Sequence, residues 1–137
     1  MRRRTKAREC ALKVLYQIEI TKDNCEDSLK VFWEMEPHTE EAVKEFANLL
    51  VKGVNERIKE IDGTISKYAM NWQISRMAVI DRNILRIATF ELLYLDDIPQ
   101  KVSINEAIDI AKKYGGTDSG KFVNGILDKI SRLKVKK

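Results

Sequence analysis

The sequence predicts an all-α protein, a compact domain of about seven helices. Apolar residues recur at three- and four-residue spacing in segment after segment, no segment sustains a period-two alternation, and Pro37, Pro99 and the Gly115-Gly116 pair fall between the periodic stretches. A chain of 137 residues and 15.9 kDa fits one domain with a real core.

The first helix follows from Ala7, Cys10, Ala11, Val14, Leu15 and Ile18, which fall on one helical face. Leu29, Phe32 and Trp33 mark a short second helix that stops before Pro37. Thr39 is placed to cap a third, with Glu40 and Glu41 in its first turn and Val43, Phe46, Ala47, Leu50 and Val54 inside. Ile58, Ile61, Ile65 and Tyr68 continue the period, and Gly63 marks a bend or break. The pattern lapses from Asn71 to Ser75, which sets a boundary between two small helical-bundle subdomains, roughly 1–72 and 73–137.

Met77, Ile80, Ile84, Leu85, Ala88, Leu92 and Leu95 then define a long helix. A second stripe of Ile87, Phe90 and Tyr94 makes that helix either central to the fold or a partner surface. After Pro99, Ser103 and Glu106 have the spacing of a capping box, opening a helix through Ile104, Ala107, Ile108 and Ala111 that Gly115 and Gly116 end in a left-handed turn. Thr117 or Asp118 caps a last helix along Phe122, Val123, Ile126, Leu127 and Ile130.

Net charge is only +4, but it is unevenly placed. Arg2, Arg3, Arg4, Lys6, Arg8 and Lys13 lead directly into the first helix, with Glu9 the only acid among them. Residues 23–62 hold eleven acids and five bases, whereas the last nine residues hold five bases and no acid. A helix N-terminus is already positive, so a cationic cluster there works against helix stability and has one of two explanations: a polyanion that neutralises it, the leading one, or a solvated basic tail. Arg2, Arg3, Arg4, Lys6 and Arg8 are therefore candidate contacts to the phosphates and base faces of single-stranded nucleic acid, because arginine both pairs with phosphate and stacks. Tyr16, on the flank of the same helix, is placed either to stack a base or to pack in the core rim.

Little in the chain suggests catalysis, a metal or a cofactor. His38, the single histidine, lies beside Pro37 in a loop without a nucleophile context, and the acids form no metal-ligand spacing. Gly115 to Lys121 matches the opening of a nucleotide phosphate loop, but Phe122 stands where a Mg²⁺-binding hydroxyl is needed and no strand precedes it. Cys10 and Cys25 have no CxxC partner and fit buried thiols of a reducing compartment. With no secretory h-region and no bilayer-length apolar run, the expected location is the cytoplasm, away from membranes.

The run Ile98-Pro99-Gln100-Lys101-Val102-Ser103-Ile104-Asn105-Glu106-Ala107, then Ala111-Lys112, then Asp118-Ser119-Gly120-Lys121-Phe122-Val123-Asn124-Gly125-Ile126-Leu127, closely resembles the C-terminal motifs of the NusB family. Ala7-Arg8-Glu9-Cys10-Ala11 with Leu15-Tyr16 is similar to that family's N-terminal motif, and Leu50-Val51, Gly53-Val54, Ile61-Asp62 and Ile84 to Ala88 with Glu91-Leu92 fit between them in order. The resemblance spans essentially the whole chain. It implies a non-enzymatic transcription antitermination factor that binds boxA-type RNA together with NusE, a small-subunit ribosomal protein, supports ribosomal-RNA transcription and processing, and reaches transcribing RNA polymerase through other factors.

The resemblance also implies RNA contact by Lys101, Asp118, Ser119, Lys121, Phe122 and Asn124. Asp118 repels phosphate, so its roles are helix capping or accepting a bond from a base amino group. Phe122 belongs to the core by spacing, and only the resemblance gives it an RNA role. A partner surface is placed on the long helix around Arg76, Asp81, Arg82, Arg86 and Phe90. The module also resembles the RNA-binding region of ribosomal-RNA cytosine methyltransferases, but the chain has no Gly-rich cofactor turn after a strand and no Pro-Cys nucleophile. A helical protein-protein scaffold leaves the arginine run unexplained.

Overall fold

A computed structural model describes residues 2–70 and 72–134. Seven α-helices and one 3-10 turn are formed among them: α1 (Arg3–Thr21), α2 (Cys25–Met35), α3 (Glu41–Glu56), α4 (Ile58–Tyr68), the turn Ile74–Arg76, α5 (Val79–Tyr94), α6 (Gln100–Gly115) and α7 (Thr117–Ser131). Asn71, Lys136 and Lys137, which bear on the subdomain boundary and the basic C-terminus, lie outside the described residues.

Helix α5 is the axis of the fold. It touches α1, α3, α4, α6 and α7, and both of its apolar stripes are covered, with Ile84, Leu85, Ile87, Ala88, Phe90 and Leu92 all buried. The central-burial alternative therefore holds. Phe90 lies flat against Gly53 of α3, where an added Cβ would sit 2.1 Å from the ring. Only glycine at 53 allows that approach.

Several boundaries differ from the expectation. α4 runs unbroken through Gly63, and the break falls earlier, at Arg57, whose φ of −114° and ψ of 23° leave the helical region. Thr39 does not cap α3, which begins after Glu40 without a side-chain cap. The expectation overlooked Asn24, whose side chain accepts the Asp27 N–H at 2.8 Å and starts α2. Pro99, with φ fixed near −59°, starts α6 at Gln100, so Ser103 and Glu106 lie past its first residues and form no capping box. Gly116, at φ +93° and ψ −179°, ends α6 and begins α7, so neither Thr117 nor Asp118 supplies a side-chain cap. That conformation is open essentially to glycine alone, and it is not the left-handed helical turn expected.

α6 and α7 form a tight antiparallel hairpin: Gly120 backs onto Lys112, and the Gln100 amide donates to the Ser131 carbonyl at 2.8 Å. Among the described residues no helix is long and apolar enough to cross a membrane.

Candidate nucleic-acid interface

The cationic start of α1 divides into an inward and an outward set. Arg8 faces inward and is buried, its Nε and Nη2 donating to the two carboxylate oxygens of Glu91 at 2.8 and 2.7 Å. Its Nη1 donates to Glu106 at 3.1 Å, the Ser103 hydroxyl donates to Glu91 at 2.8 Å, and the Thr5 hydroxyl donates to Glu106. Burial alone would lower the Arg8 pKa, but the hydrogen bonds and charges of Glu91 and Glu106 outweigh it and raise the value. Arg8 is therefore corrected from the nucleic-acid set, because its guanidinium is enclosed and its donors are committed to carboxylates.

Arg2, Arg3, Arg4 and Lys6 are exposed on the first turn of α1. This turn carries no acid and no side-chain cap of its own. Carboxylates arrive instead from three distant segments: Glu106 to Arg2 at 3.2 Å, Glu40 to Arg3 at 2.8 Å and Asp97 to Arg4 at 3.8 Å. Arg4 also lies over the Phe46 ring, 4.4 Å from its centroid. Between the arginines and the start of α6 is a cleft walled by Asp97, Ile98, Pro99 and Val102. Lys101, exposed, is next to that wall.

Seven residues on, Glu9 is buried and holds α1 against the end of α6. It accepts from Lys113 Nζ at 3.0 and 3.1 Å and from the Tyr114 hydroxyl at 2.6 Å. Burial favours the protonated form of Glu9, yet the bonds from Tyr114 and Lys113 bring its pKa below the ordinary value. The Tyr114 hydroxyl, partly buried and donating to that carboxylate, is pushed up to about 12. Arg2 with Glu106 and Glu9 with Lys113 set α1 along α6 in the same direction, with Arg2 beside the first half of α6 and Glu9 beside the end that the Gly116 junction follows.

Beyond that junction Asp118, Lys121 and Asn124 are exposed on α7, while Ser119 is half-buried and donates to the Gly115 carbonyl at 3.2 Å. Phe122 is half-buried and meets Trp72 edge to face, with ring centroids 5.6 Å apart. Trp72 went unnoticed in the sequence because it lies in the stretch where the helical period lapses. Tyr16 is exposed but stands thirteen residues beyond Arg3 on α1, about 20 Å away along the axis. Lys101 and Lys121 lie toward opposite ends of the α6–α7 hairpin.

The residues expected on a partner surface are only partly open. Arg76 is exposed. Asp81 is half-buried near Gly115, with its Oδ1 buried. Arg82 donates to both oxygens of Glu19 and to the Met77 carbonyl, and Arg86 donates bidentately to Asp62 at 2.8 and 3.0 Å and also to Glu19. Burial works against the Glu19 carboxylate, but Arg82 and Arg86 hold its pKa low. Both arginines line a cleft with Leu15, Ile18, Val54, Ile58 and Ile74. Phe90, in the core against Gly53, is corrected from the partner set.

The family pattern described as NusB family matches residues 5–132. The chain belongs to the NusB family. It is 48% identical over 129 residues to the transcription antitermination protein NusB of Anaeromyxobacter dehalogenans, covering 94% of this chain and 90% of that protein. It is 42% identical to the NusB of Thermodesulfovibrio yellowstonii, covering 97% and 94%. Among solved structures, T. maritima NusB matches with a TM-score of 0.85 at 43% identity over 96% of this chain and 92% of that one. The NusB of a complex of antitermination factors NusB and NusE with dsRNA matches with a TM-score of 0.88 at 32% identity, covering 98% and 99%.

Proposed function

We infer that the chain is a non-enzymatic transcription antitermination factor that binds RNA together with NusE, acting in the cytoplasm on transcribing RNA polymerase. The observation that carries this reading is the outward set of Arg2, Arg3, Arg4 and Lys6 at the start of a helix whose first turn carries no acid, in a chain matched end to end by the NusB of a complex with NusE and RNA. The RNA is boxA-type and single-stranded where it is read. Its phosphates engage the α1 turn and Lys101, and its bases meet the start of α7 through Ser119, Lys121, Phe122 and Asn124, with Asp118 accepting from a base amino group. NusE is assigned to the cleft side of α5, where Arg82 and Arg86 form the wall and Arg76 is exposed close by, one residue beyond Ser75 of the cleft lining; Asp81 belongs to the Gly115 side of the helix.

The test is a titration with boxA-type RNA and a scrambled control, each with and without NusE. Matched RNA binds more tightly, and NusE and RNA each tighten the other's binding by the same factor, as linkage requires. Equal binding of the two RNAs, alone and with NusE, or competition between NusE and RNA, defeats the reading.

A further inference from the structure

We propose that Trp72 and Phe122 form a stacking platform for one unpaired base of the bound RNA, an assignment that rests on the RNA-binding reading above. Trp72 is 54% exposed, an unusual state for the largest aromatic side chain, while Phe122 holds it edge to face at 74°. That contact holds the two rings steeply inclined to each other, and the exposure of Trp72 leaves ring surface open. Beside Phe122 stands the exposed cation Lys121, and Asn124 follows two residues on. An open aromatic ring with an exposed cation one residue along the helix from its packing partner supplies the two chemistries a nucleotide needs, a ring for the base and an ammonium for the phosphate.

One further residue clears the site. A helical side chain leans back over the preceding turn, so a residue at position 125 would cover Phe122. That position is glycine, exposed, with nothing within 4 Å of where a Cβ would stand. Glycine inside an exposed helix lowers helix stability, and an approach of nucleotide to backbone gives it a use here.

The experiment measures affinity for boxA-type RNA, as a single strand and as a blunt duplex of the same sequence, for the unaltered protein, Trp72→Phe, Trp72→Ala and Gly125→Leu. Trp72→Ala weakens single-strand binding about 5- to 100-fold, the range of one base–aromatic stack, with no change in the salt slope because no charge is removed. Trp72→Phe keeps most of the affinity, and duplex binding is unaffected by either change. Gly125→Leu weakens RNA binding while raising the melting temperature, two effects that a purely structural position would not separate. In a Trp33→Phe background the emission of Trp72 is quenched by single-stranded RNA. Single-strand affinity unchanged in Trp72→Ala overturns the proposal, as does Trp72 emission that responds to NusE but not to RNA. Failure of the unaltered protein to bind any RNA overturns the functional reading itself and is separately visible.

Discussion

Arg4 and Arg8 stand one turn apart on α1 and carry the same guanidinium, yet their surroundings give them opposite work. Arg8 is enclosed by Glu91 and Glu106 and ties α1 to α5 and α6. Arg4 is half exposed, held loosely by Asp97 at 3.8 Å and by the face of Phe46. Identical chemistry separated by four residues is thus divided between building the fold and offering charge to a ligand. What divides it is the number of committed donors and the loss of water around them. A guanidinium in a bidentate buried pair has no donor to give, whereas one at the surface exchanges a weak protein partner for phosphate at little cost.

The sharpest way to break the comparison is Arg8→Ala. It removes the guanidinium held between two buried carboxylates and leaves Glu106 only the exposed Arg2 as a cation, and loss of one partner of a buried pair costs about 3–5 kcal/mol. The melting temperature falls by about 10 °C or more. Arg8→Lys recovers little of this, since an ammonium cannot make the forked contact to Glu91. A melting curve unchanged in Arg8→Ala would remove the distinction between the two arginines.

Arg2, Arg3 and Arg4 changed together to Ala give the complementary result. RNA affinity falls, and the log–log salt slope becomes shallower by about 1 to 2 units, at roughly 0.7 per phosphate on a single strand. Matched and scrambled RNA lose affinity together, because phosphate contacts position a strand without reading it. The melting temperature hardly moves, since the lost ion pairs are mostly exposed and Glu106 retains Arg8 and Thr5. Unchanged affinity and slope would make the run a solvated tail.

The helices themselves were legible because the apolar period survives in each one, and so was the central place of α5, from its two stripes. The division of the arginines was not. Arg8 lies at i+4 from Arg4, and no local pattern reveals that Glu91 and Glu106, more than eighty residues away, meet it inside the fold. The same limit misplaced Phe90, whose burial depends on a missing Cβ at Gly53. It also turned Ser103 and Glu106 into an apparent capping box, when their side chains serve Glu91 and the α1 cations. Trp72 escaped notice for the opposite reason, since it follows no period at all.

A finer measure comes from Glu9, a buried carboxylate on α1. Glu9 has a lowered pKa in the fold, so its stabilisation is fully present above the ordinary value of 4.5 and is lost as pH falls through the depressed folded value. Tyr114 has a raised pKa, so its contribution is intact below 10 and is lost as pH rises toward about 12. Tyr114→Phe removes the bond to Glu9 and lowers stability by about 1 kcal/mol. It shifts the acid limb of the pH–stability curve upward and flattens the alkaline limb. If the two limbs are unchanged, Glu9 does not fasten α1 to α6.

The smallest effect tests whether the outward arginines are restrained by their own protein. Glu40 and Asp97 each occupy a guanidinium that RNA phosphate must claim, and both pairs are well exposed. Exposed pairs contribute only fractions of a kcal/mol, so Glu40→Gln with Asp97→Asn tightens RNA binding by about two- to threefold. The salt slope steepens slightly, because phosphates no longer displace an internal carboxylate and release counterions instead. Stability changes little, in contrast to removal of Glu91 or Glu106, whose loss strands Arg8 in the interior. Weaker RNA binding in the double variant would mean that the two acids orient the arginines for the strand, and the outward set would then be as ordered by its partners as the inward one.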